Sequence, residues 1–112
     1  MVAAVKVKNF ERSNYVAVGR VWDQGRRDEL LLAEESSEGL RFVGRAFNVL
    51  RGPAREQLTA AIDSMVRSTA PIGGLRARNA TWTTPRLRVS VRHLATTGAL
   101  RHATAEALVE QR

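Results

Sequence analysis

A change of hydrophobic period part-way along the chain limits the folds open to it. Residues 14–22, NYVAVGRVW, and 40–47, LRFVGRAF, are rich in β-branched and aromatic residues, and the second alternates clearly. Both are expected to be strands. Between them lies ELLLAEES, 29–36, bracketed by the turn signals Asp23-Gln24-Gly25 and Ser36-Ser37-Glu38-Gly39. Short connections between three such segments imply an antiparallel meander. At Gly52-Pro53 the spacing becomes helical: Ala54, Leu58, Ala61, Ile62, Met65 and Val66 fall on one face. Pro53 suits a first helical turn, Glu56 sits near the positive end of the dipole, and the helix is expected to run to about Arg67.

After the helix, Pro71-Ile72-Gly73-Gly74 is a loop signal, and Ala80-Thr81-Trp82-Thr83 a short strand ending before Pro85. The last expected strand, 86–94, places Leu87, Val89 and Val91 on one face and Arg86, Arg88, Ser90 and Arg92 on the other. The order is three strands, a helix and two strands. That is the order of an all-β, five-stranded oligonucleotide-binding (OB) barrel with one helix. An SH3-like or other small barrel with a packed helix fits the same periodicity.

At 112 residues the chain suits one compact domain rather than two. Its apolar share, 44% of residues, is enough to build a core, so disorder throughout is not expected. The absence of cysteine excludes a disulfide framework, a thiolate zinc site and a cysteine nucleophile. No run approaches the length of a membrane span, so no membrane partner and a cytoplasmic location are expected.

Charge points to a partner. Lys+Arg total 18 against 11 Asp+Glu, and the isoelectric point is near 11.4. Only Lys6 and Lys8 are lysines, so nearly all the positive charge is carried by guanidinium groups, whose planar forks match phosphate oxygens. A polyanion is the simplest ligand. The stripe Arg86, Arg88 and Arg92, preceded by Arg76 and Arg78 in the loop, is spaced to follow a phosphate backbone.

Other candidates are weaker. Trp22, Trp82, Phe42 and Phe47 are expected to fill the core. His93 and His102 are two ligands at most and make no metal site. Asp28, Glu34, Glu35 and Glu38 read as a solvated acidic edge. Ser36-Ser37 lacks a nucleophile-elbow context, and no glycine-rich phosphate loop precedes a helix.

Three segments taken together, VKVKNF at 5–10, LLLAEESSEGLRFVGRAF at 30–47 and VRHLATTGALRHAT at 91–104, resemble the C-terminal region of bacterial ATP-dependent DNA ligases, including those associated with end joining. The similarity spans nearly the whole chain. It implies that residues 1–12 are the terminal strand of a nucleotidyltransferase domain and 13–112 an OB-fold DNA-binding domain. It also implies that Lys6 and Lys8 form the K-x-K element that contacts the α-phosphate of ATP. Two cations at i and i+2 face one side of a strand, as gripping one phosphate requires. Arg101, within Leu100-Arg101-His102-Ala103-Thr104, is the implied pyrophosphate-orienting residue, with Arg92 a second candidate.

Two departures from the family stand out. Ala4 occupies the place two residues before the first lysine where relatives commonly carry an aromatic, and the ending Leu108-Val109-Glu110-Gln111-Arg112 differs from an Arg-x-Asp-Lys type tail. The lysine-bearing K-x-D-G motif that starts ligase chemistry does not occur in the 112 residues. The chain is therefore expected to clamp nicked or broken duplex DNA and to assist adenylation of a nucleotidyltransferase domain or chain. ATP and Mg²⁺ would serve the full enzyme, and this chain alone would bind neither. A free-standing nucleic-acid-binding module and a protein-interaction barrel are the alternatives.

Overall fold

The computed structural model describes residues 9–23, 27–95 and 99–111, the last two by backbone only. Lys6 and Lys8 lie outside the described residues. The elements are β1 (Phe10–Asp23), β2 (Arg27–Ser36), β3 (Gly39–Asn48), α1 (Gly52–Asp63), the two-residue β4 (Val66–Arg67), β5 (Ala80–Leu94) and β6 (Thr104–Gln111). The three-strand meander and the start of the helix after it stand where the period placed them. β1 begins at Phe10, and Phe10, Glu11 and Arg12 pair with β5 in the same sheet.

The strands form a ring in the order β1–β2–β3–β6–β5, closed by pairing of β5 with β1. All neighbours are antiparallel except β3 and β6, which run parallel over the short register Phe47↔Thr104 and Asn48↔Ala105. The fold is mostly β with one helix, consistent with the OB type.

Two details of the expected layout change. The segments 80–83 and 86–94 are one strand, and the second closing strand is β6, beyond the last strand that the sequence was expected to form. Pro85 does not end β5 because the strand bulges around it: Gly19 faces Trp82 while Ala17 already faces Leu87. Residues 83–86 thus bow away from β1, where a missing N–H costs no ladder bond. On that bow β5 pairs with β4, Val66 facing Thr83, and the Thr84 N–H donates to the Met65 carbonyl. The same contact shortens the helix. α1 stops at Asp63 rather than near Arg67, and Val66, expected on its apolar face, is 55% exposed in β4.

Two apolar clusters follow from strand alternation. The first draws on all five ring strands and on Leu58, Ala61 and Ile62 of α1, with Leu30, Leu32, Leu87, Val89 and Val91 among its buried members. It fills the ring, and α1 closes one end. The second gathers Val16, Val18, Val21, Leu31 and Ala33 from β1 and β2, covered by Ile72, Leu75 and Ala77 of the segment 68–79. It lies on the outer face. Each fully buried leucine contributes about 2 kcal/mol from apolar surface removed from water.

Gly19 sits at the register shift between β1 and β5, facing Trp82. A Cβ there would stand 3.0 Å from Trp82 Cε3, 3.1 Å from Leu31 Cδ1 and 3.1 Å from the Thr81 carbonyl oxygen. The carbonyl cannot retreat without disturbing the ladder. Gly19→Ala is therefore expected to destabilise the fold by about 1–3 kcal/mol, whereas Gly73→Ala, which meets nothing within 4 Å, is expected to change it by less than about 0.5 kcal/mol. Urea unfolding of both variants checks the pair.

Candidate nucleic-acid interface

The expected face of β5 exists. Leu87, Val89, Val91 and His93 are buried, and Arg86, Arg88, Ser90 and Arg92 alternate with them on the outer side. Their surroundings differ from one arginine to the next. Arg86 is exposed. Arg88 is ion-paired with Glu35 of β2, and Arg92 lies over the Phe10 ring, 3.7 Å from its centroid. The stripe is thus part solvent-exposed and part engaged within the protein.

Arg76 and Arg78 are exposed in the outer segment and line a pocket of about 530 Å³ together with Arg27 of β2, Arg45 of β3 and Ala77. Sequence spacing did not join Arg27 and Arg45 to the other two, since they lie on different elements. Glu29 stands beside them, 3.3 Å from Arg27 and 3.8 Å from Arg45. Among the described residues neither Arg76 nor Arg78 has an ion-pair partner. One carboxylate against four guanidiniums leaves an unbalanced positive pocket, the kind of site that recruits an anion.

The signal for this site was available. Arg27 and Glu29 alternate on β2, and Arg45 and Phe47 alternate on β3. The register Glu29↔Phe47 brings both pairs to one face.

Aromatic placement is mixed. Phe42 and Trp82 pack against the outer cluster, as core aromatics should. Trp22 and Phe47, also expected inside, are 48% and 57% exposed. Trp22 lies one residue before the end of β1 at the rim of the ring, where Arg20 and Arg55 lie over its face at 5.3 and 5.6 Å.

Beneath Trp22 is a network that sequence analysis did not find. Asp28 accepts from Arg20 Nε and Nη2 at 2.8 and 2.9 Å, from Asn48 Nδ2 at 3.0 Å and from Arg55 Nη2 at 2.5 Å. It ties β1, β2, β3 and α1 together. The antiparallel register of β1 on β2, with Trp22 facing Asp28, puts Arg20 diagonal to Asp28, and that pairing is the clue the sequence held.

The acidic edge is likewise paired rather than only solvated: Glu34 with Arg41 and Glu35 with Arg88. His93 is a core residue, its Nδ1 2.8 Å from the Leu94 carbonyl and its Nε2 2.9 Å from Ser13 Oγ. Donation from Nδ1 to that carbonyl leaves Nε2 to accept the Ser13 hydroxyl.

Arg101 and His102 are exposed on the connection into β6. The backbone there is fixed. The Leu94 N–H donates to the Arg101 carbonyl at 3.1 Å, and the Leu100 N–H to the Val43 carbonyl at 2.9 Å. Gly44, at φ +136°, permits this approach, since its Cβ would stand 3.3 Å from Leu100 Cβ. Among the described residues no three or more His, Cys, Asp or Glu side chains could hold a metal ion, and no helix is long and apolar enough to cross a membrane.

The ligase domain of M. tuberculosis LigD superposes with a TM-score of 0.75 at 21% identity, over 89% of this chain and 35% of that one. A mycobacterial DNA ligase D complexed with ATP and MES gives a TM-score of 0.72 at 21% identity, over 92% and 36%. The fold is shared with a DNA ligase domain. It agrees with the relation to ATP-dependent DNA ligases expected from the three sequence segments. The chain spans about a third of the length of these structures. No family model and no curated protein matches the sequence.

Burial alone would raise the Asp28 carboxyl, but the hydrogen bond and charge of Arg20, the charge of Arg55 and the Asn48 amide outweigh it and hold the group below its ordinary value. A depressed carboxyl contributes stability above the unfolded pKa, about 3.9, and that contribution is lost as pH falls through the folded value. Asp28→Asn leaves two arginines without a counterion and is expected to cost about 3 kcal/mol near neutral pH. The gap between variant and wild type is expected to narrow below about pH 4. Urea unfolding at both pH values checks this, and an unchanged gap would contradict the assignment.

Proposed function

We propose that this chain is the DNA-clamping, C-terminal OB-type part of an ATP-dependent DNA ligase. The observation that carries the reading is the convergence of Arg27, Arg45, Arg76 and Arg78 around one open pocket on the outer face of the ring. Guanidinium forks at that density fit the phosphates of nicked or broken duplex DNA. Arg86 adds a further exposed cation on β5, on the same strand face as Arg88 and Arg92. The shared fold supports the ligase context.

In the full enzyme bound ATP would supply the adenylyl group that activates the DNA 5′-phosphate. Of this chain's residues, Arg101 fits a part in that chemistry: its side chain is exposed and its backbone is held by Leu94, which suits it to orient a pyrophosphate. Lys6 and Lys8 are the proposed grip on the α-phosphate. Mg²⁺ is assigned to a partner domain or chain, the one that carries the K-x-D-G lysine. By itself this chain binds DNA and does not become adenylated.

The test is binding of labelled nicked duplex by fluorescence anisotropy across a salt series. Arg76→Glu with Arg78→Glu is expected to weaken binding at least about ten-fold and to reduce the slope of log affinity against log salt by about 2. Affinity insensitive to salt and to this charge reversal would favour a protein-interaction ring instead.

A further inference from the structure

The basic pocket has an aromatic neighbour that backbone contacts to a duplex do not use. Phe47 faces Glu29 directly across the β2–β3 ladder. It follows Arg45 by two residues and so shares its face. Arg27 and Glu29 share that face from the β2 side. The exposed Phe47 ring and the four guanidiniums of Arg27, Arg45, Arg76 and Arg78 therefore belong to one continuous outer surface.

A single exposed apolar side chain is ordinary on a protein surface. Here its company gives it a use. Along its length a duplex presents base edges and phosphates, and its base faces are already stacked on one another, so away from an end a flat ring on a phosphate-binding surface finds nothing to stack on. An unpaired nucleotide offers both parts at once: phosphates for the arginines and a π-face for the phenyl ring. No other described side chain competes for the Phe47 ring as Arg92 does for Phe10 or Arg20 and Arg55 do for Trp22.

We propose that this surface takes single-stranded DNA, such as an overhang or a frayed end, with a base stacked on Phe47 and its flanking phosphates held by Arg45, Arg27, Arg76 and Arg78. The proposal rests on the phosphate-binding reading of the same pocket and adds the strand state of the ligand. Stacking on one aromatic ring is tolerant of base identity, so no sequence preference accompanies it.

The experiment compares a labelled oligothymidylate of about 12 nucleotides with a relaxed, covalently closed circular duplex, which has no ends, using the full chain. Phe47→Ala is expected to weaken single-strand binding about ten-fold and to leave duplex binding within about two-fold. Because the ring is exposed, the variant keeps the fold, which circular dichroism verifies. Phe47→Trp is expected to retain single-strand affinity and to add fluorescence quenching on binding beyond that of Trp22 and Trp82. If Phe47→Ala leaves single-strand binding unchanged, or weakens both ligands equally, the stacking proposal is overturned while the arginine pocket stands. If charge reversal at Arg76 and Arg78 leaves both ligands bound as before, the phosphate-binding reading fails as well.

Discussion

β5 is hydrogen-bonded along both edges, to β1 and to β6, and closure of the ring depends on its holding both. Its inner face supplies Leu87, Val89 and Val91 to the ring core, and its outer face supplies Arg86, Arg88 and Arg92. Its early residues abut the segment that carries Arg76 and Arg78. A strand of this length could hold both neighbours only by bulging. The bow at 83–86 releases β1, admits β4 and lets Pro85 stand without breaking the ladder. Closure and basic surface are thus two faces of one alternating strand.

At the end of the ring capped by α1, a second constraint holds the helix to the sheet. Asp28 draws guanidiniums from β1 and α1 and an amide from β3 onto one carboxylate. A carboxylate shielded to this degree is costly without its partners, so the network fixes geometry at least as much as it adds stability. Trp22 covers it with two cations over its ring. The outer cluster under Ile72, Leu75 and Ala77 has the matching effect on the other side, since it presses the segment 68–79 against β1 and β2 and thereby presents Arg76 and Arg78 beside Arg27 and Arg45.

The meander and the helix were legible because their apolar residues keep one period from end to end. β6 was not. Two register shifts against β5, between Arg88 and Val89 and between Ser90 and Val91, each insert an extra residue into β6, so Ala105 and Leu108 both turn toward the core at a spacing that matches no strand. Small alanines conceal what alternation remains. The single β5 was hidden by Pro85, whose bulge only the pairing reveals. For the site, Arg76, Arg78 and the β5 stripe follow from local spacing. Arg27 and Arg45 join them only through strand register and the outer fold of 68–79, and neither is written in local sequence.

The proposed role of this fold, which is shared with a DNA ligase domain, is to serve a nucleotidyltransferase supplied by another domain or chain. The most direct measurement mixes the chain with a ligase nucleotidyltransferase domain carrying K-x-D-G and follows self-adenylation and nick sealing, with wild-type protein and with Arg101→Ala. The account predicts that both activities rise above those of the separate domain and that Arg101→Ala reduces the gain in adenylation. No rise in either activity, with DNA binding intact, would contradict it.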